Sequence, residues 1–168
     1  MNSNLKRLTT MAVLIAINII LTRFISIQTP IVRVGFTFLP IAVSAMLYGP
    51  WWAGGGAAIA DVIGLALFPT AGFFPGFTLT AFLTGVVYGV AFYNKEIGWK
   101  RIIIANAIIC LILNLGLDTL WLYMMTGQGY IALLIPRIIK CAIMLPVQVA
   151  LTYVATGKRM VSLLSNTK

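Results

Sequence analysis

Residues 68–77 read FPTAGFFPGF and lie between two long apolar segments, 51–68 and 75–93. Pro69 and Pro75 lack the backbone N–H that a continuing helix requires, and the four phenylalanines of the stretch avoid water. The stretch is therefore suited neither to a helix interior nor to an ordinary solvated loop. It predicts an aromatic turn between two membrane-spanning helices.

The composition identifies lipid as the main solvent of this chain. Of its 168 residues, 61% are hydrophobic and 9% charged, which is too little polar surface to cover a water-soluble globule. The apolar run after Met11 is as long as a membrane span and has no small-residue cleavage site, so we interpret it as the first helix rather than as a secretory signal. Both cysteines lie in apolar runs and histidine is absent, so neither a disulfide framework nor a metal site is expected.

Six apolar segments of roughly membrane-spanning length follow one another along the chain. They cover residues 8–25, 35–49, 51–68, 75–93, 101–123 and 130–156. The sequence therefore predicts an all-α integral membrane protein, a bundle of six transmembrane helices in a single membrane domain over residues 1–168. The second segment is short, and we expect Pro40 to kink or thin it.

Lysine and arginine in the short connections predict the orientation. Eight of these cations fall on one side of the six-helix topology: Lys6, Arg7, Lys95, Lys100, Arg101, Lys158, Arg159 and Lys168. Both termini are therefore predicted to be cytoplasmic, with outer connections at 23–34, 69–75 and 124–130. The net charge of +9 also predicts attraction to anionic membrane lipid, whereas nucleic-acid binding is disfavoured because no basic groove remains outside the membrane.

Several charged residues depart from this pattern. Arg23 and Arg33 flank the first outer connection, where cations are disfavoured, and so indicate either an anionic ligand or contact with lipid phosphates. Ionisable residues also lie inside the spans, where they are costly unless paired: Asp61, Asp118, Arg137 and Lys140. They mark either a functional site or interhelical ion pairs that fix the packing.

Helical spacing places the polar residues on three stripes near the outer side. The stripes contain Asn114, Asp118 and Trp121; Arg137 and Lys140; and Asp61 among small residues. A carboxylate for paired donors, cations for an acidic tail and aromatic rings for a flat ring together predict a site for a planar, acidic small molecule. The aromatic turn would cover that ring as a lid.

Catalytic and nucleotide-binding motifs are absent from the sequence. It contains no phosphate-binding G-x-x-x-x-G-K-[ST] loop, no dinucleotide fingerprint and no arrangement suited to nucleophilic catalysis. The glycine-rich stretch at 54–64 indicates close helix packing, and acid–base catalysis by Asp61 and Asp118 alone is disfavoured. We therefore expect neither an enzyme nor a cofactor.

Three longer stretches carry a resemblance to a known family. RVGFTFLPIAVSAMLYGPWWAGGGAAIADVIG at 33–64, FPTAGFFPGFTLTAFLTGVVYG at 68–89 and NLGLDTLWLYMMTG at 114–127 resemble the substrate-binding subunit, or S component, of an energy-coupling factor (ECF) vitamin transporter. The likeness is to the folate-specific branch and covers nearly the whole chain. It implies a bacterial cell-membrane protein that binds folate in an outward-facing pocket closed by outer loops. It also implies delivery through a coupling protein with two cytoplasmic ATPases.

The resemblance also implies roles for individual residues. Asp118 and Asn114 would pair with the pterin edge of folate. Trp121, Phe73, Phe74 and Phe77 would enclose its rings, and Arg23, Arg33 and Arg137 would meet its glutamate carboxylates. Asp61 would contact the ligand or pair with Arg137 or Lys140. The small residues Ala12 and Ala16 of the first helix would dock on the coupling protein.

Two other interpretations remain open at this point. The chain could be an S component for another vitamin, such as thiamin, pantothenate or a queuosine precursor; the aromatic turn favours a large flat ring and so disfavours pantothenate. It could also be a membrane scaffold or small channel whose aromatics form an interfacial belt. Such belts are rich in Trp and Tyr, whereas this turn contains Phe, Pro and Gly.

Overall fold

The computed structural model describes residues 3–28, 33–68 and 74–157, and six helices form the body of this part of the chain. They are α1 (Ser3–Arg23), α2 (Phe38–Tyr48), α3 (Pro50–Leu67), α4 (Pro75–Phe92), α5 (Trp99–Thr126) and α6 (Tyr130–Ala155). Each coincides with one predicted apolar segment. The predicted all-α class and the helix count are confirmed.

Proline and glycine set several of the helix ends. Pro50 and Pro75 lie in the first turns of α3 and α4, where a missing backbone N–H leaves no hydrogen bond unmade. Gly49 follows α2 with φ of 87°, and Gly127 follows α5 with φ of 64°. Both glycines adopt left-handed backbone that a side chain would disfavour, so the chain reverses there.

The first predicted outer connection contains a small hairpin. Strands β1 (Ile27–Gln28) and β2 (Arg33–Val34) pair antiparallel, with Ile27 opposite Val34 and Gln28 opposite Arg33. The sequence predicted only a loop here, because two-residue strands are too short to produce an alternating pattern. The pairing satisfies backbone groups that would otherwise lie exposed at the edge of the bundle.

Contacts between the helix termini define two ends of the bundle. At the end that holds the N-terminus, Trp99 stacks on Tyr153 with ring centroids 3.9 Å apart. At the opposite end, which we call the hairpin end, Phe24 meets Phe68 edge to face at 5.5 Å. The ends of α1 and α3 therefore meet at the hairpin end and the start of α5 meets the end of α6, as a six-helix membrane topology requires.

Four helices in the described part of the chain are long and apolar enough to cross a membrane: α1, α4, α5 and α6. α3 has 18 residues, but three successive glycines and Asp61 lower its hydropathy. α2 has 11 residues and reaches about 17 Å, roughly half of a hydrocarbon core. Pro40 lies in the first turn of α2, where its missing N–H breaks no helical hydrogen bond, so the expected kink is not formed. The helix begins at Phe38, three residues after the start of the predicted segment.

The closest helix pairing, between α3 and α4, depends on glycine. A Cβ on Gly85 would lie 2.5 Å from the backbone nitrogen of Gly54, and one on Gly89 would overlap Pro50. Bare backbone on α4 therefore lets the two helices approach closely. Next to this contact, buried Tyr88 donates a hydrogen bond of 2.7 Å to Asn106 of α5.

α5 departs from α-helical geometry in its middle. It is α-helical over Trp99–Ile108, π-helical over Ile109–Leu117 and α-helical again over Asp118–Thr126. A π-helical segment of this kind was not predicted, since hydropathy does not report on backbone hydrogen-bond register. Such segments occur often at functional sites because they redirect side chains and backbone groups.

Candidate functional site

The candidate site begins where α5 returns from π-helical to α-helical geometry. There the Asp118 N–H donates to the Leu113 carbonyl, five residues back. In an α-helix the same N–H would donate to the Asn114 carbonyl, four residues back. The change of register therefore makes the Asn114 carbonyl available to another donor.

Arg137 of α6 supplies that donor. Its Nη1 donates to the Asn114 carbonyl oxygen at 2.9 Å, and its side chain is half-buried. The guanidinium thus joins α6 to the π-helical segment at the level of the predicted stripe. A polar backbone group and a half-buried cation satisfy each other within the bundle.

Charge complementarity extends this contact. The Asp118 carboxylate attracts both Arg137 and Lys140 of α6. Two cations and one carboxylate therefore share the α5–α6 interface, and two of the three predicted stripes are brought together. The cluster carries a net positive charge, which suits an acidic ligand.

Phe74 packs against Trp121, one turn further along α5, and Phe77 packs against Phe74. Its indole centroid lies 5.6 Å from that of Phe74, and Phe74 lies 6.2 Å from Phe77. The indole Nε1 also donates to Thr80 Oγ1 at 3.2 Å. The structure thus brings together three of the predicted ring-binding residues, at the hairpin end and above the charged cluster.

Gly76 makes this aromatic cluster possible. A Cβ at this position would lie 2.5 Å from Cδ2 of Trp121 and 2.6 Å from Cε1 of Phe74. The first turn of α4 is therefore in direct contact with the indole, and a side chain there would separate α4 from α5.

Asp61 contacts a residue that the sequence did not single out. It accepts a hydrogen bond of 2.8 Å from the Thr78 hydroxyl of α4. This differs from the pairing with Arg137 or Lys140 considered above, because α4 rather than α6 packs against the half of α3 nearest the hairpin end. A hydroxyl donor stabilises the half-buried carboxylate without a second charge.

Of the two arginines predicted on the first outer connection, the structure describes the side chain of one. The Arg23 guanidinium lies against Gly64 of α3, whose Cβ position would be 3.2 Å from its Nε. Arg23 is therefore within one helical turn of Asp61 along α3. For Arg33 only the backbone, in β2, is described, and Phe73 lies outside the described residues.

The face of α1 with the predicted docking motif is open. Ala12 and Ala16 are both exposed, and Ala12 lines an apolar cavity of about 400 Å³ between α1 and α3. We call this cavity the α1–α3 groove; it is lined by Leu8, Met11, Ala12, Ile15, Trp51, Trp52, Gly55, Gly56 and Ile59. It lies towards the N-terminal end and away from Asp118. Within the described ranges, no three His, Cys, Asp or Glu residues converge as metal ligands would.

Comparison with known proteins decides the family. Residues 6–156 match the family described as ECF transporter, substrate-specific component. The chain belongs to the ECF S components. These are transporter subunits rather than an enzyme family, in agreement with the apolar helices.

Among individual S components, the chain is similar to folate transporters. The chain is 47% identical over 143 residues to the folate transporter FolT of Clostridium novyi (strain NT), covering 85% of this chain and 83% of that protein. It is 34% identical over 158 residues to the folate transporter FolT of Leuconostoc mesenteroides subsp. mesenteroides, covering 90% and 85%. A crystal structure of FolT bound with folic acid superposes with a TM-score of 0.85 at 45% identity, covering 88% of this chain and 90% of that one.

Sequence reasoning missed three features of this S component. Thr78 and Thr80 lie on α4 facing Asp61 and Trp121, and both are ordinary residues of an apolar helix unless its neighbours are known. The role of the Asn114 carbonyl, as opposed to its amide, depends on backbone register. Gly116 lies within the π-helical segment, and an isolated glycine in a helical pattern is a local signal that could have indicated irregular geometry.

Proposed function

We propose that this chain is the folate-binding S component of an ECF-type ABC vitamin uptake transporter. The observation that carries the proposal is its similarity, at 45% identity over most of both chains, to FolT bound with folic acid. The charged and aromatic clusters at the hairpin end support it, because folate combines a flat pterin with two carboxylates. The chain captures the vitamin and, by this proposal, catalyses no reaction.

We propose that different residues of the site bind different parts of folate. Asp118 and Asn114 pair with the pterin edge, and the rings of Trp121, Phe73, Phe74 and Phe77 enclose the pterin and benzoyl groups. Arg23, Arg33 and Arg137 attract the glutamate carboxylates. Because Arg137 contacts α5 beside Asp118, it also neutralises that carboxylate. Asp61, held by Thr78, borders the site from α3.

Orientation and assembly complete the proposal. The chain forms one multi-pass domain of a bacterial cell membrane, with both termini cytoplasmic and the hairpin end outside. It delivers folate by docking the Ala12 and Ala16 face of α1 on a coupling protein that two cytoplasmic ATPases drive. A fluorescent protein fused after residue 168 should fluoresce in cells, whereas alkaline phosphatase at the same place should be inactive. The opposite pattern would refute the orientation.

Fluorescence titration tests the ligand. Folate added to the purified protein should quench tryptophan emission saturably at nanomolar concentrations, whereas thiamin and pantothenate should not. Trp121→Phe should reduce the amplitude of the quenching, because this indole lies in the proposed site. Quenching by another vitamin but not by folate would mean that the other vitamin is the cargo. If no vitamin quenched the tryptophan emission, a scaffold or channel would be favoured.

A further inference from the structure

Thr80 of α4 binds the single polar atom of the Trp121 side chain. The indole Nε1 of Trp121 donates a hydrogen bond of 3.2 Å to Thr80 Oγ1. Because tryptophan has one side-chain donor and no acceptor, this bond uses the whole hydrogen-bonding capacity of the indole. Trp121 therefore offers a ligand its aromatic ring but not its N–H.

The Thr80 hydroxyl is itself oriented by the helix that carries it. Its Oγ1 donates a hydrogen bond of 3.1 Å to the carbonyl oxygen of Gly76, one turn earlier in α4. With the hydroxyl proton directed at Gly76, an oxygen lone pair remains to accept from the indole. Thr80 is only 6% exposed, so water does not compete for either bond. The two bonds join α5 to the first turns of α4, and each polarises the other.

Packing contacts limit the position of the indole but not its rotation. Gly76 lies against the fused edge of the two rings, since its Cβ position would be 2.5 Å from Cδ2 and 2.8 Å from Cε2 of Trp121. The Phe74 ring packs against the indole at an interplanar angle of 45°. A flat ring can fill such a space in two orientations related by a half-turn about its bond to Cβ. The bond to Thr80 selects between them, because only one directs Nε1 at the hydroxyl.

Thr84, one turn further along α4, shows how Thr80 differs from an ordinary helical threonine. The Thr84 hydroxyl donates 2.8 Å to the Thr80 carbonyl oxygen, which is the usual partner of a threonine within a helix. Thr80 makes the equivalent bond and also accepts one from another helix. The two residues are therefore a matched pair that differs in the contact with Trp121.

We propose that Thr80 is a positioning residue for folate binding, because its hydroxyl fixes the rotation of the Trp121 indole before the ligand arrives. Trp121 then binds the flat part of folate by ring contact alone. Since the indole is already ordered, binding does not bear the entropy cost of immobilising it. This role rests on the proposed function, in which Trp121 encloses the rings of folate.

Nitrogen–proton correlation NMR of the four indole N–H groups, combined with calorimetric titration of folate, tests the role. Thr80→Val removes the hydroxyl and nearly keeps the shape of the side chain. The Trp121 indole proton, assigned as the resonance missing from Trp121→Phe, should move to lower chemical shift because it loses its acceptor. The affinity for folate should fall about tenfold. Thr80→Ser keeps the hydroxyl and should retain both the resonance and the affinity of the parent protein.

Thr84→Val is the matched control and should change neither the Trp121 resonance nor the affinity for folate. Thermal unfolding of each variant checks that it is folded. An unshifted Trp121 resonance in Thr80→Val, or an affinity equal to that of the parent protein, would overturn the positioning role. Equal losses in Thr80→Val and Thr80→Ser would also overturn it, since the effect would then come from packing of the methyl group.

The same experiment separates this role from the proposed function. A parent protein that does not bind folate would refute the proposed function, and the role of Thr80 with it. Normal folate binding by both the parent protein and Thr80→Val would overturn the role of Thr80 alone.

Discussion

At the scale of single residues, the site depends on how a few charges are held inside an apolar bundle. Asp118 is half-buried and attracts Arg137 and Lys140, while Arg137 also donates to the Asn114 carbonyl. Such groups are tolerated in a membrane helix because each has opposite charge or a hydrogen-bond partner nearby. The same arrangement leaves the cluster positive overall and thus suited to an anion.

Replacing Asp118 tests its proposed role towards the pterin. Asp118→Asn should weaken folate binding by about 2 to 4 kcal/mol, because donors of the buried pterin lose a charged acceptor. Calorimetric titration with folate measures the change. Glu96→Gln, at an exposed position outside the helices, is the control and should bind like the parent protein. Equal affinities for Asp118→Asn and Glu96→Gln would contradict the assignment.

Gly76 tests the aromatic cluster. Gly76→Ala places a methyl group against Trp121 and Phe74, so the rings must move apart and folate binding should weaken. The tryptophan emission spectrum should shift at the same time, because Trp121 changes its surroundings. Gly129→Ala, where a Cβ meets nothing within 4 Å, should leave both the affinity and the spectrum unchanged. An unchanged spectrum in Gly76→Ala would refute the contact.

At the scale of helices, close approach and local register position the site. The glycines of α4 bring it against α3, which lets Thr78 reach Asp61, and the π-helical segment of α5 turns a backbone carbonyl towards α6. Neither the glycine contact nor the π-helical segment supplies a side-chain group that would bind a ligand. Both determine which polar groups face one another within the bundle.

The α3–α4 contact yields a stability prediction. Gly89→Ala should destabilise the protein by about 1 to 3 kcal/mol, because the methyl group overlaps Pro50 backbone that cannot yield without moving α3. Gly55→Ala, also inside a helix but facing open space, should instead stabilise it by up to about 1 kcal/mol. Thermal unfolding followed by circular dichroism compares them. The packing argument fails if Gly89→Ala unfolds at or above the temperature of Gly55→Ala.

At the scale of the whole molecule, the proposed functions occupy different surfaces. The proposed cargo residues cluster mainly at the hairpin end between α3, α4, α5 and α6, whereas the proposed docking residues lie on the exposed face of α1. This separation allows an S component to bind its vitamin alone and to meet its partner with another surface. Mutations on one surface should therefore leave the activity of the other intact.

Ala12→Leu tests this division. The larger side chain should prevent close docking of α1 on the coupling protein, so uptake of folate by cells is lost. Folate binding by the purified subunit should remain unchanged, because Ala12 lies far from Asp118 along the bundle. Ala142→Leu, on the exposed face of α6, serves as the control for both measurements. Loss of binding in Ala12→Leu would mean that the two surfaces are coupled.

Composition and spacing by themselves determined the membrane class, the six helices and the charged positions of α5 and α6 that meet in the bundle. These features follow from the length of apolar runs, from proline and glycine, and from the cost of charge in lipid, all of which are local to the chain. Only the tertiary structure decided that Thr78 holds Asp61, that Arg137 meets the Asn114 carbonyl, and that Gly76 contacts Trp121. Those contacts join different helices, and their geometry depends on how closely two backbones approach and on a register that hydropathy does not encode.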